Sequence, residues 1–327
     1  MGLSHEIKEK VLQGYIITKE DAFQLYSEPE AELYTCANIL REKFTGIKVD
    51  LCSIINGKSG SCSENCSYCA QSKHYKTGVK EYPLVSYEEV YEKAKKDEED
   101  GIDRFSIVTS GRDLSKDDLE IVTDYYSALN KELPNISLCA SHGILNKTSL
   151  IKLKKSGVKR YHHNVETSKN YYSKICTTHT YDERIHTIKL CREVGIEVCS
   201  GGIIGLGESR EDRINMAMEL RELDILSIPI NALMPIKGTP LENESLLKEE
   251  EILRTIAVFR FINPRANIRL AAGRNLLTNY GEKAFMAGAN GTISGSLLTT
   301  CGSGGTCNDR NMIKELGLEV KEKGTKF

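Results

Sequence analysis

The chain of 327 residues has no long hydrophobic run and no large excess of charge of either sign. No apolar stretch approaches the roughly 20 residues that a membrane-spanning helix needs, and the first residues show no apolar secretory core. The formal net charge of −2 gives no reason to expect a polyanionic partner. We therefore expect a cytoplasmic protein that binds neither nucleic acid nor membranes.

Low-complexity tracts and solenoid repeats are also missing, and short apolar runs instead alternate with longer amphipathic ones. The apolar runs predict strands at 48–55, 103–109, 136–140, 159–165, 196–201, 226–232, 267–271 and 291–294. The amphipathic runs predict helices at 87–100, 116–131, 147–156, 181–194, 209–223, 248–262 and 280–287. Helix start signals stand at Ser86 and Ser115, and stop signals at Gly101, Gly157 and Gly195.

Strand–helix alternation of this kind predicts an α/β fold with a parallel sheet, and eight strands favour a closed (β/α)8 TIM barrel. Residues 1–45 precede the first strand and are expected to form an N-terminal helical extension. The barrel is assigned to residues 46–300, and residues 301–327 form a C-terminal cysteine loop and charged tail.

Eleven cysteines are the unusual feature of the composition. A cytosolic chain keeps its thiols reduced, so a disulfide framework is not expected. The thiols instead serve as metal ligands or as small buried side chains.

Three of the cysteines, Cys62, Cys66 and Cys69, follow directly on the first predicted strand with the spacing C-x3-C-x2-C. The next cysteine along the chain is Cys139. A closed zinc site or a ferredoxin-like cluster would require a fourth ligand. Three thiolates on a four-iron cluster leave one iron open, which is the arrangement of a catalytic metal site.

With Tyr68 before the last cysteine, this segment resembles the signature of the radical S-adenosylmethionine superfamily. The resemblance implies that S-adenosylmethionine binds the open iron of a 4Fe–4S cluster. It is then cleaved to a 5′-deoxyadenosyl radical that abstracts hydrogen from an unactivated carbon. The cofactor supplies the difficult chemistry, and the protein supplies orientation and excludes water.

Further segments resemble the biotin synthase family, and in chain order they are 161–167, 198–208, 230–233, 237–241, 269–274 and 285–290. This resemblance implies a homodimeric sulfurtransferase that inserts sulfur between two carbons of dethiobiotin and consumes S-adenosylmethionine. It also implies a flavodoxin or a ferredoxin as the electron donor.

Polar residues stand at the predicted strands and their carboxyl ends, which a barrel brings together at one mouth. The resemblance assigns Asn164 and Asn231 to the ureido ring of the substrate and Arg184 to the carboxylate of the methionine moiety. Glu166 stands where the family commonly has Asp, and it is expected to bind the ribose hydroxyls. His162 replaces a more usual Asn.

Tyr68 is also expected at the cofactor. The glycine-rich run that begins with Gly201 and Gly202 is expected to let the backbone approach the cofactor closely. Its spacing does not fit the dinucleotide fingerprint G-x-G-x-x-G.

The family commonly carries a second cluster of two irons, which supplies the inserted sulfur and is held by three cysteines and an arginine. Cys139, Cys199 and Arg269 match three of those four ligands. Ser106 occupies the fourth position, and a serine is a poor substitute for a thiolate at iron. The usual two-iron site therefore lacks one of its ligands.

Two further cysteines, Cys301 and Cys307, flank a Gly/Ser loop after the last predicted strand. Together with Cys139 and Cys199 they make four thiolates, the ligand set of a four-iron cluster. We therefore expect an auxiliary cysteine-ligated four-iron cluster near Arg269. A 2Fe–2S cluster, and a redox pair or thiol relay in Cys301 and Cys307, remain alternatives.

The remaining thiols are interpreted as small core or surface residues, and they are Cys36, Cys52, Cys176 and Cys191. Two other functions stay open at this point. A different radical enzyme of the same group, such as a metallocofactor maturase, would act on another substrate. An electron-transfer iron–sulfur protein is disfavoured, because its first cluster would be expected to have a full set of ligands.

Overall fold

The computed structural model describes residues 2–295 and 305–320, and every pairing between its strands is parallel. The strands are β1 (Lys48–Lys58), β2 (Arg104–Thr109), β3 (Ser137–Ser141), β4 (Arg160–His162), β5 (Glu197–Cys199), β6 (Gly202–Ile204), β7 (Ser227–Ala232), β8 (Asn267–Leu270), β9 (Gly291–Ile293) and β10 (Glu319–Val320). The predicted α/β barrel is therefore confirmed.

The sheet runs in the order β5-β4-β3-β2-β1-β9-β8-β7-β6, and β10 pairs with the start of β1. β5 and β6 are two parts of one extended run that is interrupted at residues 200–201. The first part pairs with β4 and the second with β7, so the two ends of the path meet in this run. The sheet thereby curls into a barrel whose strands all end at one mouth.

Helices surround the sheet, and the described α-helices are α1 (Leu3–Leu12), α2 (Lys19–Leu25), α3 (Glu30–Thr45), α4 (Tyr87–Glu99), α5 (Lys116–Glu132), α6 (Lys147–Lys155), α7 (Lys169–Ile175), α8 (Tyr181–Glu193), α9 (Arg210–Glu222), α10 (Glu249–Ile262), α11 (Glu282–Met286) and α12 (Thr306–Glu315). The predicted caps are confirmed, since the hydroxyls of Ser86 and Ser115 accept hydrogen bonds from the N–H groups of Glu89 and Asp118. Gly101 follows α4 with a φ of +73°, a conformation that glycine adopts without steric cost.

The expected N-terminal extension is helical and packs on the outside of the barrel. α3 packs against α10, and the hydroxyl of Tyr26 donates to Thr255 at 3.3 Å. Arg254 donates to the carbonyl of Glu28 at 2.6 Å. The division of the chain at residues 45 and 300 stays a prediction.

The sequence did not predict four of the described elements, α7, β6, α12 and β10. α7, β6 and β10 are short, and α12 lies in the segment assigned above to the C-terminal loop and tail. The helix expected at 280–287 begins only at Glu282, since Asn279 and Tyr280 have positive φ angles. Within the described residues no helix is long and apolar enough to cross a membrane.

Candidate active site

The loop after β1 carries Cys62, Cys66 and Cys69 and is held by its own backbone hydrogen bonds. The N–H of Cys62 donates to Gln71 O at 2.9 Å, and the N–H of Cys69 donates to Cys66 O at 3.0 Å. The N–H of Ser67 donates to Ile175 O at 2.8 Å, which ties the loop to the end of α7. Local turns and several contacts with residues 175–179 therefore fix the positions of the three cysteines.

All three of these cysteines line one chamber at the mouth, which we call the loop chamber. Its walls also include Tyr68, Glu166 and Arg184, together with the ends of β2 and β3. Cys62 and Cys66 are buried, and Cys69 is half-buried. Three thiols that open on one chamber fit the ligand set of a four-iron cluster with an open iron.

A fourth thiol lies close in space although it is distant in sequence. Cys176 Sγ is 3.8 Å from Cys66 Sγ and 3.3 Å from His179 Nδ1. Cys176 is not part of the wall of the loop chamber, and it belongs to the apolar core. The interpretation of Cys176 as a small core or surface residue stays a prediction, and its contact with Cys66 was not foreseen.

Asn164, Glu166 and Arg184 form one connected group on the chamber wall. Asn164 Nδ2 donates to Glu166 Oε2 at 3.3 Å, and Arg184 Nη1 lies 3.5 Å from Glu166 Oε1. Arg184 Nη1 also donates to the carbonyl of Asn164 at 3.0 Å. Glu166 has a φ of +70°, an uncommon conformation for a residue that is not glycine. Such strain is typical of positions that hold a ligand.

Asn231 stands on β7 and lines the same chamber as Asn164. Its Nδ2 donates to Gly202 O at 3.0 Å, and its Oδ1 accepts from Ala272 N at 3.0 Å. An amide group has two N–H donors and two acceptor lone pairs, so Asn231 keeps one donor and one acceptor beyond these backbone bonds. Its expected role in binding the substrate stays a prediction.

Gly201 and Gly202 lie against protein backbone and do not line either chamber described here. A Cβ on Gly201 would come within 1.9 Å of Pro229 O, and a Cβ on Gly202 within 2.4 Å of Glu166 O. Close packing of the barrel strands accounts for both glycines. A contact with the cofactor stays a prediction.

The inside of the barrel forms a second chamber, which we call the lumen chamber. Cys139, Cys199, Arg269 and Ser106 all line it, as the comparison with the two-iron site requires. Cys139 is the register partner of Ser106. Ser106 is buried, and its Oγ has no hydrogen-bond partner among the described residues. The lumen chamber also exposes a cysteine that sequence reasoning did not select, Cys52 on β1.

His162 on β4 is the register partner of Cys199 on β5, and the two side chains hydrogen-bond to each other. Burial alone would raise the pKa of Cys199, but the hydrogen bond and the charge of His162 lower it to about 6. The structure thus gives a contact for His162, which replaces the more usual Asn. The effect is to favour the thiolate form of Cys199, the form that binds metal.

The floor of the lumen chamber is charged. Arg269 Nη2 donates to Asp50 Oδ1 at 3.0 Å, and Arg104 Nε donates to Asp50 Oδ2 at 3.2 Å. Although burial would raise the pKa of Asp50, these two cations hold it well below its usual range. Arg160 completes the floor and pairs with Glu197, whose side chain is 61% exposed.

The two cysteines of the C-terminal loop were expected near this chamber. Cys301 lies outside the described residues. Cys307 is in the first turn of α12, is exposed and does not line the lumen chamber. α12 is anchored to the barrel by Asp309, which binds Arg274 Nη1 at 3.0 Å. The participation of both cysteines in a cluster stays a prediction.

The two chambers share part of their walls. Residues common to both are Tyr68, Cys69, Gln71, Val108, Ser141, His162, Asn164 and Glu166. The three cysteines of the loop and the cysteines of the strands therefore open on adjoining spaces. A substrate held between them would face both groups of thiols.

Comparisons with known proteins agree with this geometry. Residues 58–220 match the model of the radical SAM superfamily, and residues 229–319 match the Biotin and Thiamin Synthesis associated domain. The chain is 59% identical to the biotin synthase of Clostridium perfringens over 96% of this chain and 98% of that protein. It is 53% identical to the biotin synthase of Clostridium tetani, again over 96% of this chain and 98% of the relative.

Solved structures share the fold at lower identity. Methylornithine synthase has a TM-score of 0.85 at 21% identity, with 97% of each chain covered. A maturase of the FeFe-hydrogenase has a TM-score of 0.82 at 20% identity, over 97% of this chain and 74% of that one. These likenesses concern the fold alone, and the close relatives favour sulfur insertion over the maturase alternative. Membership of the superfamily implies a 4Fe–4S cluster and S-adenosylmethionine, and the chain belongs to the biotin synthase family of sulfurtransferases.

Proposed function

We propose that this chain converts dethiobiotin to biotin with residues of the two adjoining chambers in separate roles. Cys62, Cys66 and Cys69 hold the first cluster, and Glu166 and Arg184 orient S-adenosylmethionine beside it. When bound, that cluster reduces S-adenosylmethionine and produces the radical that abstracts hydrogen from dethiobiotin. The observation that carries the proposal is the shared wall, which includes Asn164 and Glu166.

Asn164 and Asn231 are proposed to bind the ureido ring of dethiobiotin. Each has hydrogen-bonding capacity left after its backbone contacts, and both line the lumen chamber. Burial of Tyr68 together with the nearby Glu166 raises the pKa of the phenol, so Tyr68 stays neutral at the chamber wall. A neutral phenol closes the space between the thiols without adding charge. Excluding water in this way protects a radical from side reactions.

The sulfur is proposed to come from an auxiliary cluster on the lumen chamber. Cys139 and Cys199 are its barrel ligands, Cys301 and Cys307 provide thiolates from the C-terminal loop, and Arg269 lies beside it. We infer four irons rather than two, because Ser106 stands where the usual two-iron site has a thiolate. Buried guanidinium groups on the floor favour a negatively charged occupant.

We further infer a cytoplasmic homodimer that receives electrons from a flavodoxin or a ferredoxin. The homodimer and the electron donor rest on the resemblance to the family, and the location rests on the composition of the sequence. Size-exclusion chromatography with light scattering, and reduction of the first cluster by each purified donor, test the dimer and the donor.

The decisive test of function is an anaerobic assay with dethiobiotin, S-adenosylmethionine and dithionite. We expect biotin and 5′-deoxyadenosine from the reconstituted protein. In Asn231→Ala we expect cleavage of S-adenosylmethionine to continue, while the affinity for dethiobiotin falls about tenfold or more. Asn263→Ala, which removes a buried amide outside the chambers, is the control. Formation of 5′-deoxyadenosine without biotin in the unsubstituted protein would contradict the proposed function.

The auxiliary cluster is tested by iron and sulfide analysis with Mössbauer spectroscopy. About eight irons per chain are expected from two four-iron clusters, and about six would contradict the four-iron auxiliary site. Replacing Cys301 and Cys307 with alanine should abolish biotin formation but leave cleavage of S-adenosylmethionine. Continued biotin formation in that variant would show that these thiols are not ligands.

A further inference from the structure

Cys52 lies on β1 with its side chain on the inside of the barrel. Burial alternates along this strand, so that Cys52, Ile54 and Asn56 are half-buried while the residues between them are buried. Successive side chains of a strand point to opposite faces, and the half-buried set of β1 faces the chambers. The thiol therefore faces the same space as Cys139 and Cys199.

The surroundings of Cys52 differ from those of the cysteines used for packing. Cys36 and Cys191 belong to the apolar core of the protein. Cys52, Cys139 and Cys199 do not belong to that core, and all three line the lumen chamber. Cys52 thus lies with the strand cysteines of the lumen chamber and apart from the two packing cysteines.

Cys52 also stands next to the position where a ligand is missing. β1 pairs with β2, where Ser106 takes the place of the expected cysteine, and Ile54 is the register partner of Ser106. Cys52 precedes Ile54 by one inward-facing position on the neighbouring strand. A thiol lost from β2 is thus matched by a thiol on β1.

Cys52 lies between a carboxylate and several cations, and its Sγ is 3.9 Å from Asp50 Oδ1. The lumen chamber contains the guanidinium groups of Arg104, Arg160 and Arg269. Among the described residues, Asp50 is the buried carboxylate that pairs with two of them, and it offsets a single positive charge. A buried charge that has no counterion lowers the stability of the folded protein. Two of the three positive charges remain after Asp50, and the exposed Glu197 pairs with one of these, so anionic ligands on this floor are electrostatically favoured.

A second, independent observation comes from unused hydrogen-bonding capacity. Arg269 is 1% exposed, and its Nε has no hydrogen-bond partner among the described residues. The same is true of Ser106 Oγ on the neighbouring wall. Buried polar atoms are normally paired, so an occupant that accepts hydrogen bonds belongs here.

We propose that Cys52 is a ligand of the auxiliary iron–sulfur cluster, together with Cys139 and Cys199. This inference rests on the proposed function, because it needs an auxiliary cluster to exist. Three thiolates then come from strands of the barrel, and Cys52 replaces one of the two thiolates assigned above to Cys301 and Cys307. That division also fits the exposed position of Cys307 on α12.

The test counts iron in a protein that retains the auxiliary site alone. Replacing Cys62, Cys66 and Cys69 with alanine removes the first cluster, and we expect about four irons per chain to remain after anaerobic reconstitution. Cys52→Ala in this background should lower the iron content to below about one per chain, as Cys139→Ala should. Cys52→Ser, which differs by one atom, should do the same, because serine is a poor iron ligand.

Cys36→Ala and Cys191→Ala are the matched controls and should keep both the iron content and the Mössbauer spectrum of the background protein. Circular dichroism and thermal unfolding of the iron-free variants show whether each has folded. If Cys52→Ser folds and keeps the iron and the unchanged spectrum while Cys139→Ala loses them, the inference about Cys52 is overturned and the auxiliary cluster stands. If the background protein itself binds no iron, the auxiliary cluster fails, and the inference fails with it.

Discussion

Arg269 and Asp50 form an ion pair at 3.0 Å in which both side chains are 1% exposed. β8 brings the cation and β1 the carboxylate, and the two strands are joined through β9. Asp50 also binds Arg104, so one carboxylate holds two cations at the floor of the lumen chamber. Removing one partner of a buried ion pair destabilises a protein more than removing one partner of an exposed ion pair.

Asp50→Ala should therefore lower the free energy of unfolding by about 3–5 kcal/mol in the iron-free protein, because two buried guanidinium groups lose their counterion. Glu120→Ala is the control, since Glu120 pairs with Lys152 at the surface with side chains 61% and 42% exposed. Its expected loss is below about 1 kcal/mol. Urea denaturation measures both, and equal losses would contradict the structural role of Asp50.

Glu166 offers a test of the S-adenosylmethionine site. Glu166→Ala should weaken binding of S-adenosylmethionine about tenfold or more, since it removes the carboxylate beside Arg184. Glu166→Asp should stay within about threefold, because Asp keeps the carboxylate and tolerates a positive φ comparatively well. Isothermal titration of the reconstituted protein gives both affinities. Unchanged binding in Glu166→Ala would remove Glu166 from the site.

Cys176 tests whether proximity to Cys66 means iron binding. Cys176 contacts Cys66 from outside the loop chamber, so Cys176→Ala should keep the iron content of the first cluster and the cleavage of S-adenosylmethionine. Cys66→Ala should lose both. Iron analysis and the yield of 5′-deoxyadenosine distinguish the two variants. Loss of iron in Cys176→Ala would make Cys176 a ligand and the first cluster fully ligated.

His142 predicts a dependence of stability on pH. Its ring hydrogen-bonds to Thr109 at 3.0 Å and to Tyr126 at 3.1 Å, and burial lowers its pKa to about 3 from the ordinary value of 6.5. The unfolded chain binds a proton below pH 6.5 and the folded chain does not, so acid favours unfolding between these two values. Its contribution to stability is complete above pH 6.5 and is lost progressively toward pH 3.

His142→Gln should remove this contribution. Between pH 7.5 and pH 5.5 we expect the acid-induced loss in the free energy of unfolding to shrink by about 1.4 kcal/mol. His186 is exposed on α8, and His186→Gln should leave the loss as it is. Urea denaturation at the two pH values decides the matter, and a His142→Gln protein with the original pH dependence would contradict the prediction.

Local features of the sequence predicted much of the barrel. Ser86 and Ser115 mark helix starts, because a cap is a hydrogen bond within four residues. The first predicted strand lies within the observed β1, since its apolar run is long. The sequence predicts a single strand at 196–201 where the structure has the interrupted run 197–204, because Gly201 and Gly202 give no side-chain pattern.

The sequence by itself determined the three-cysteine loop, since C-x3-C-x2-C is a matter of spacing within one short segment. The resemblance to the biotin synthase family implies in addition that Ser106 stands where a thiol is usual. Only the tertiary structure decided which other cysteines join these sites. Cys66 and Cys176 are 110 residues apart in the chain and 3.8 Å apart in space. Cys52 comes near the arginines of the lumen chamber only because the parallel strands of the barrel turn its side chain inward. Such contacts depend on strand register and barrel closure, which local spacing does not encode.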